Sequence, residues 1–77
     1  MITKKVSRLG KRQRIIYLPL AEFKKDDMVR LNPKGSGTYL NRKVMKMGSN
    51  LIVTIPVANW DRFPYHSVVQ VYKVVSR

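Results

Sequence analysis

The chain has no cysteine, a single histidine and very few acidic residues. Without cysteine it can form neither a disulfide nor a thiolate metal site. One histidine and four Asp and Glu residues are too few for a usual zinc site. No apolar run approaches the roughly 20 residues that span a bilayer, and none follows the N-terminal lysines as in a secretory signal. We therefore expect an intracellular protein that uses no metal or other cofactor and has no membrane partner.

The composition describes one small and strongly basic domain. Sixteen Lys and Arg residues against four acidic ones give the 77-residue chain a net charge of +12. Its 44% hydrophobic content is too high for a disordered basic tail. A folded protein with so positive a field favours nucleic acid as partner, ahead of an anionic membrane surface or an acidic protein. We predict a single domain over residues 1–77.

The positive charge is concentrated in two blocks. Residues 1–14 hold six Lys and Arg residues and 32–50 hold four, with no acid in either block. The segment 15–31 between them has three bases and three acids and is neutral. Ten of the twelve net charges therefore lie in the two blocks. One basic block is as readily a solvated face as a binding site, but two blocks at equivalent places need a further explanation.

An internal repeat supplies that explanation. Each half contains a short β-type segment ending in glycine and then an apolar run ending in proline: VSRLG at 6–10 with RIIYLP at 14–19, and VMKMG at 44–48 with LIVTIP at 51–56. An aromatic residue, Phe23 or Trp60, follows four positions after each proline. The pattern predicts repeat unit 1 at about 3–31, a connector at 32–38 and repeat unit 2 at about 39–77.

Each unit is predicted to be strand, turn, strand, short helix and strand. The first strands, roughly 3–9 and 39–47, end at a glycine that can take positive φ in a hairpin turn. The second strands are apolar, and their prolines end them because proline has no N–H to donate. The sequence therefore predicts a mostly β fold with one or two short helices, in which Phe23 and Trp60 anchor the helical turns.

The second half resembles a known family. The segment GSNLIVTIP after VMKM resembles the SpoVT/AbrB superfamily of swapped-hairpin DNA-binding proteins, above all its MazE antitoxin branch. DDMVRL at 26–31 is similar to the start of the family's third strand. Members usually supply one unit per chain and dimerise. The resemblance implies a swapped-hairpin β-barrel that two units of one chain close about a pseudo-dyad. A pseudo-dimeric monomer is favoured, and a homodimer is the alternative.

The resemblance also implies a DNA-binding surface, because basic residues of the family's first strand and turn enter the DNA major groove. The matching positions are Arg8, Lys11 and Arg12 in the first half and Lys46, Ser49 and Asn50 in the second. Four further cations of the basic blocks complete the predicted site: Lys5, Arg14, Arg42 and Lys43. The basic residue that the family often has two positions before the proline is Tyr17 in one half and Thr54 in the other.

Structural roles for these residues stay open alongside the functional ones. Ser49 and Asn50 are equally suited to simple turn chemistry. For Arg8 and Lys46 a solvated strand face is the less favoured alternative to DNA contact. His66 has no acid beside it in the sequence, and no Gly-rich phosphate loop is present. We therefore expect no enzyme and no small-molecule substrate.

Double-stranded DNA is the predicted partner, bound by a cytoplasmic, nucleoid-associated protein that regulates transcription. The first alternative is an architectural or RNA-binding protein that contacts the nucleic-acid backbone. Stacking of bases on the four tyrosines, as in single-strand binders, is disfavoured because the sequence has no regular aromatic cluster. The second alternative is an antitoxin that also grips a toxin. The lack of an acidic extension after the last predicted strand argues against it.

Overall fold

The computed structural model describes residues 2–10, 13–34 and 37–74, which form eight strands and one short helix. The helix is a 3-10 helix at Val57–Arg62. The strands, numbered in chain order, are β1 Ile2–Lys5, β2 Ser7–Leu9, β3 Gln13–Leu18, β4 Met28–Pro33, β5 Leu40–Lys43, β6 Met45–Met47, β7 Asn50–Ile55 and β8 Val68–Lys73.

The strands form two antiparallel four-stranded sheets. Sheet I has the order β1-β8-β4-β5, and sheet II has the order β2-β3-β7-β6. The prediction of a mostly β fold is confirmed. No closed barrel is found among the described strands, so each sheet keeps two edge strands. The predicted long first strands at 3–9 and 39–47 are each two strands, one in each sheet.

Each long strand changes sheet at a buried valine. Val6 separates β1 from β2, and Val44 separates β5 from β6; they are 1% and 0% exposed. The N–H of Val6 donates to the carbonyl of Ser67 at 3.0 Å, and that of Val44 donates to the carbonyl of Asp27 at 2.7 Å. The bends therefore keep their backbone groups paired, as a buried backbone requires.

Two residues with left-handed backbone complete these bends. Asp26 has φ 74° and its N–H donates to the carbonyl of Val44 at 2.8 Å. His66 has φ 66° and donates in the same way to Val6 at 2.9 Å. Asp and His are among the few residue types enriched at positive φ. His66 is exposed and shapes a turn.

The pairing registers relate the two halves of the chain by an approximate two-fold axis. In sheet II, β3 and β7 pair about Ile16 and Val53; in sheet I, β4 and β8 pair about Leu31 and Val71. The strands β1 to β4 of the first half correspond to β5 to β8 of the second. If each strand is replaced by its counterpart, both strand orders stay the same. The outer strands of sheet I are each supplied by the other half, because β1 pairs with β8 and β5 with β4.

The core lies between the sheets and contains no buried polar or charged residue in the described part of the chain. Alternation along the strands supplies it with aliphatic side chains. Its members are Val6, Ile16, Leu18, Phe23, Val29, Leu31, Val44, Leu51, Val53, Ile55, Phe63, Val69 and Val71. Phe23 is buried as predicted, but Trp60 is only partly buried, and Phe63 is the fully buried aromatic residue of the second connection. The difference arises because the 3-10 helix lengthens that connection.

The connection between β3 and β4 is held by a turn. The carboxylate of Asp27 accepts a hydrogen bond from the backbone N–H of Lys24 at 2.9 Å, which lowers the pKa of Asp27. Lys73 Nζ lies 3.4 Å from the same carboxylate and favours its charged form as well. The Asp26-Asp27 pair therefore belongs to the turn that leads into β4.

Substitution of Leu31 tests the packing of the core at the two-fold axis. We expect Leu31→Ala to lower the free energy of unfolding by about 2–5 kcal/mol, because Leu31 is 0% exposed and its truncation leaves a cavity. The matched control is Leu20→Ala, which changes a side chain that is 63% exposed and should cost less than about 0.5 kcal/mol. Denaturant unfolding of both variants measures the difference, and equal losses would contradict this core.

Candidate nucleic-acid interface

The strands carry positive charge and no negative charge. None of the eight contains Asp or Glu. The four acids of the chain lie in the two connections that follow β3 and β7: Glu22, Asp26, Asp27 and Asp61. An anionic partner that reaches the strand surfaces therefore meets cations and is not repelled by carboxylates among them.

Four of the predicted cations are exposed at equivalent places in the two halves. Arg8 lies on β2 opposite Arg14, and Lys46 lies on β6 opposite Leu51, so both occupy the middle of an edge strand of sheet II. Lys5 and Lys43 end β1 and β5, immediately before the bends, and are exposed as well. Each long strand thus has two exposed cations, one on either side of its buried valine.

The hairpin turns begin at the glycines two residues after Arg8 and Lys46. Gly10 has φ 64° and Gly48 has φ 60°, a conformation that strains any side-chain-bearing residue. Ser49 completes a two-residue turn between Met47 and Asn50, and both Ser49 and Asn50 are exposed. The predicted contacts Lys11 and Arg12 lie outside the described residues.

The two turns lie at opposite ends of sheet II. The strands β3 and β7 are antiparallel, with Arg14 opposite Ile55 and Leu18 opposite Leu51. The start of β3 and the start of β7 are therefore separated by about 20 Å along the strands, at roughly 3.3 Å per residue. Arg8 and Lys46, with Ser49, Asn50 and the turns, are called the hairpin interface below.

Arg14 requires a correction, since its guanidinium is used within the protein. Its Nη1 donates to the carbonyl of Trp60 at 2.8 Å and to that of Phe63 at 3.0 Å. The guanidinium carbon lies 4.8 Å from the ring centroid of Trp60 and 4.3 Å from that of Tyr65. Arg14 Nε is buried. Arg14 therefore fastens β3 to the second connection, and we take it out of the predicted interface.

Arg42 is also held by intramolecular hydrogen bonds. Its Nε donates to the carbonyl of Thr54 at 2.8 Å, and its Nη2 donates to the hydroxyl of the same residue at 2.9 Å. The side chain is partly buried and links β5 of sheet I to β7 of sheet II. Thr54 is the position at which the resembling family often has a basic residue. Here the cation comes from β5 of the other sheet instead.

The structure also shows a polar outward face of sheet I, whose Arg30 sequence reasoning missed. Residues of β4 and β8 that alternate with the buried Val29 and Val69 point outward from sheet I, and they include Arg30 and Tyr72. Arg30 lies in the segment 15–31, whose neutral balance gave no reason to single it out. The alternation in MVRLNP and VVQVYK was the available signal.

Two further findings concern the described part of the chain. No group of three or more His, Cys, Asp or Glu residues there could hold a metal ion. Within the same residues, no helix has the length and apolar character needed to cross a membrane.

Arg14→Lys tests the structural role of this guanidinium. We expect a loss of about 1–3 kcal/mol in the free energy of unfolding, because lysine keeps the charge but cannot both fork onto two carbonyls and stack between rings. The matched control, Arg8→Lys, makes the same chemical change at an exposed side chain and should cost under about 0.5 kcal/mol. Thermal and denaturant unfolding measure both, and an unchanged stability of Arg14→Lys would contradict the assignment.

The chain was compared with protein-family models, with curated proteins and with solved structures. None of the three comparisons gave a significant match. Function is therefore inferred from the residues of this chain and from their arrangement.

Proposed function

We propose that this protein binds double-stranded DNA through the hairpin interface and acts as a transcriptional regulator of the AbrB/MazE type. The observation that carries the proposal is the equivalence of Arg8 and Lys46 about the internal two-fold axis. Both are exposed, and each lies two residues before the glycine of its hairpin turn. A duplex has its own local two-fold symmetry, which a two-fold protein can match.

The electrostatics of the strands support the same proposal. Neutralising phosphates with Lys and Arg releases counterions, and this supplies a large share of affinity for DNA. The acid-free strands leave Arg8, Lys46, Lys5 and Lys43 available for that purpose. An arginine can also fork onto the edge of guanine, whereas a lysine acts as a point charge.

The family architecture belongs to the proposal as well. Its support is the exchange of strands, in which β1 pairs with β8 of the other half and β5 with β4. The resemblance of GSNLIVTIP to the SpoVT/AbrB superfamily adds to it. Because the described strands form two sheets without closure, we base the proposal on this exchange and not on a barrel.

The two halves do not present identical chemistry to a duplex. Arg8 corresponds to Lys46, and Gln13, the partner of Leu9, corresponds to Asn50, the partner of Met47. Between the glycine and these residues the first half has Lys11 and Arg12, and the second has only Ser49. Lysine and arginine can neutralise phosphate, and arginine can fork onto guanine, whereas serine offers only its hydroxyl. We therefore propose a DNA site with only approximate two-fold symmetry.

Salt dependence of binding tests the proposal. With about 5–8 phosphates contacted, the logarithm of the affinity for duplex DNA should fall with the logarithm of salt at a slope of roughly −4.5 to −7. Arg8→Ala and Lys46→Ala should each weaken binding and reduce this slope by about 1. Fluorescence anisotropy on duplex DNA, single-stranded DNA and duplex RNA measures the affinities.

Lys25→Ala is the matched control for these variants. Lys25 is exposed, like Lys46, but lies in the connection that holds Glu22, Asp26 and Asp27. Its loss should leave both affinity and slope nearly unchanged. A slope near zero in the unmodified protein, or equal effects of Lys25→Ala and Lys46→Ala, would refute the hairpin interface. Tighter binding to duplex RNA than to duplex DNA would favour the RNA-binding alternative.

The internal two-fold axis leads to a prediction about assembly. Each half already finds its pairing partners within the chain, so we expect a monomer with a mass near 9.0 kDa in light scattering at micromolar concentration. Dilution should not change this mass. A concentration-independent mass of twice that value would show that the halves are exchanged between chains or that two molecules associate.

A further inference from the structure

We infer that the outward face of sheet I is a second binding site, with a single strand of nucleic acid as its ligand. The site centres on an open cleft of about 330 Å³. The residues that line it are Arg30, Asn32, Tyr39, Tyr72, Lys73 and Val74, and they are called the tyrosine cleft below. Sheet I packs on sheet II through its inner face, so this cleft lies on a different sheet from the hairpin interface.

The cleft presents aromatic surface to solvent. Tyr39 is 53% exposed and Tyr72 is 37% exposed, and both line the same cleft. The hydroxyl of Tyr72 is 3.2 Å from Gln70 Oε1 and donates to it, which helps to fix the direction of the ring. Of the other two tyrosines, Tyr65 is covered by Arg14, and Tyr17 lies on β3 of sheet II.

A guanidinium is already stacked in the cleft. The guanidinium carbon of Arg30 lies 4.3 Å from the ring centroid of Tyr39, and Arg30 Nε donates to Asn41 Oδ1 at 3.4 Å. The planar pair offers two flat surfaces of the kind on which unstacked bases pack in single-strand binders. Bases within a duplex are stacked on one another and cannot use these surfaces.

The charge around the cleft favours a phosphate backbone. Arg30 brings a guanidinium to it, whereas the Nζ of Lys73, which also lines it, is paired with Asp27. None of the strands of sheet I contains an acid. A site that combines aromatic rings with positive charge favours a single strand of nucleic acid. A duplex needs positive charge alone, and an acidic peptide has few flat rings that could stack on the tyrosines.

The test measures binding of short fluorescent oligothymidine and oligouridine strands by anisotropy. We expect Tyr39→Ala and Tyr72→Ala each to weaken single-strand binding by about 5- to 150-fold, the range found when a stacking aromatic residue is truncated. Tyr39→Phe keeps the ring and should stay within about twofold. Duplex binding should be unchanged in all three variants, whose melting temperatures should match that of the unmodified protein because the side chains are exposed.

Arg8→Ala and competition separate this inference from the proposed function. Arg8→Ala should weaken duplex binding and spare the single strand, and unlabelled duplex should not displace a bound single strand. Photocrosslinking with a bromouridine-substituted strand should label Tyr39 or Tyr72, a readout that needs no variant. The inference is overturned if both Tyr→Ala variants bind single strands normally, if duplex displaces the strand completely, or if the crosslinks map to the hairpin interface. Each of these results leaves duplex binding itself intact.

Discussion

The arrangement depends on how the chain bends at Val6 and Val44. At each bend a strand leaves one sheet and enters the other, and the valine side chain enters the core. A break in a strand would ordinarily leave a buried N–H and carbonyl unpaired, at a cost comparable to a lost hydrogen bond for each. Both groups of each valine are instead bonded to the connection of the opposite half, through Ser67 and His66 or through Asp27 and Asp26. The bends thus join the halves at the points where the sheets meet.

This construction also determines where charge can be displayed. Residues on either side of a bend belong to edge strands, which have one side open to solvent. Lys5 and Arg8 flank one bend, and Lys43 and Lys46 flank the other. Lysine and arginine on edge strands oppose pairing with the edge of a second molecule. The same cations therefore serve two purposes in our interpretation, because they discourage strand-to-strand association and attract an anionic polymer.

The sequence predicts the elements of this protein better than it predicts the contacts of its charged residues. Alternation, glycine and proline were enough to locate the β-type runs and the turns, since those signals are local. The bends were missed because a valine inside a β-type run looks the same whether the strand is straight or changes sheet. Arg14 and Arg42 were predicted as DNA contacts because a count of charges cannot tell a solvent-facing guanidinium from one that bonds carbonyl groups of a distant segment. Phe63 was passed over because the spacing from proline selected Trp60, and the inserted 3-10 helix changes that spacing.

The exchange of strands between the halves also has a consequence for how the chain folds. Residues 2–5 find their partners at 68–71, and β3 pairs with β7 near the middle of the second half. Such distant pairings are slow to form, because a long loop must close before the contacts that stabilise it exist. While the chain is being synthesised, the apolar strand β3 can pair only with β2 until β7 of the second half has been made. Between the synthesis of β3 and that of the second half, the unfinished protein has free strand edges and is most prone to aggregate through them.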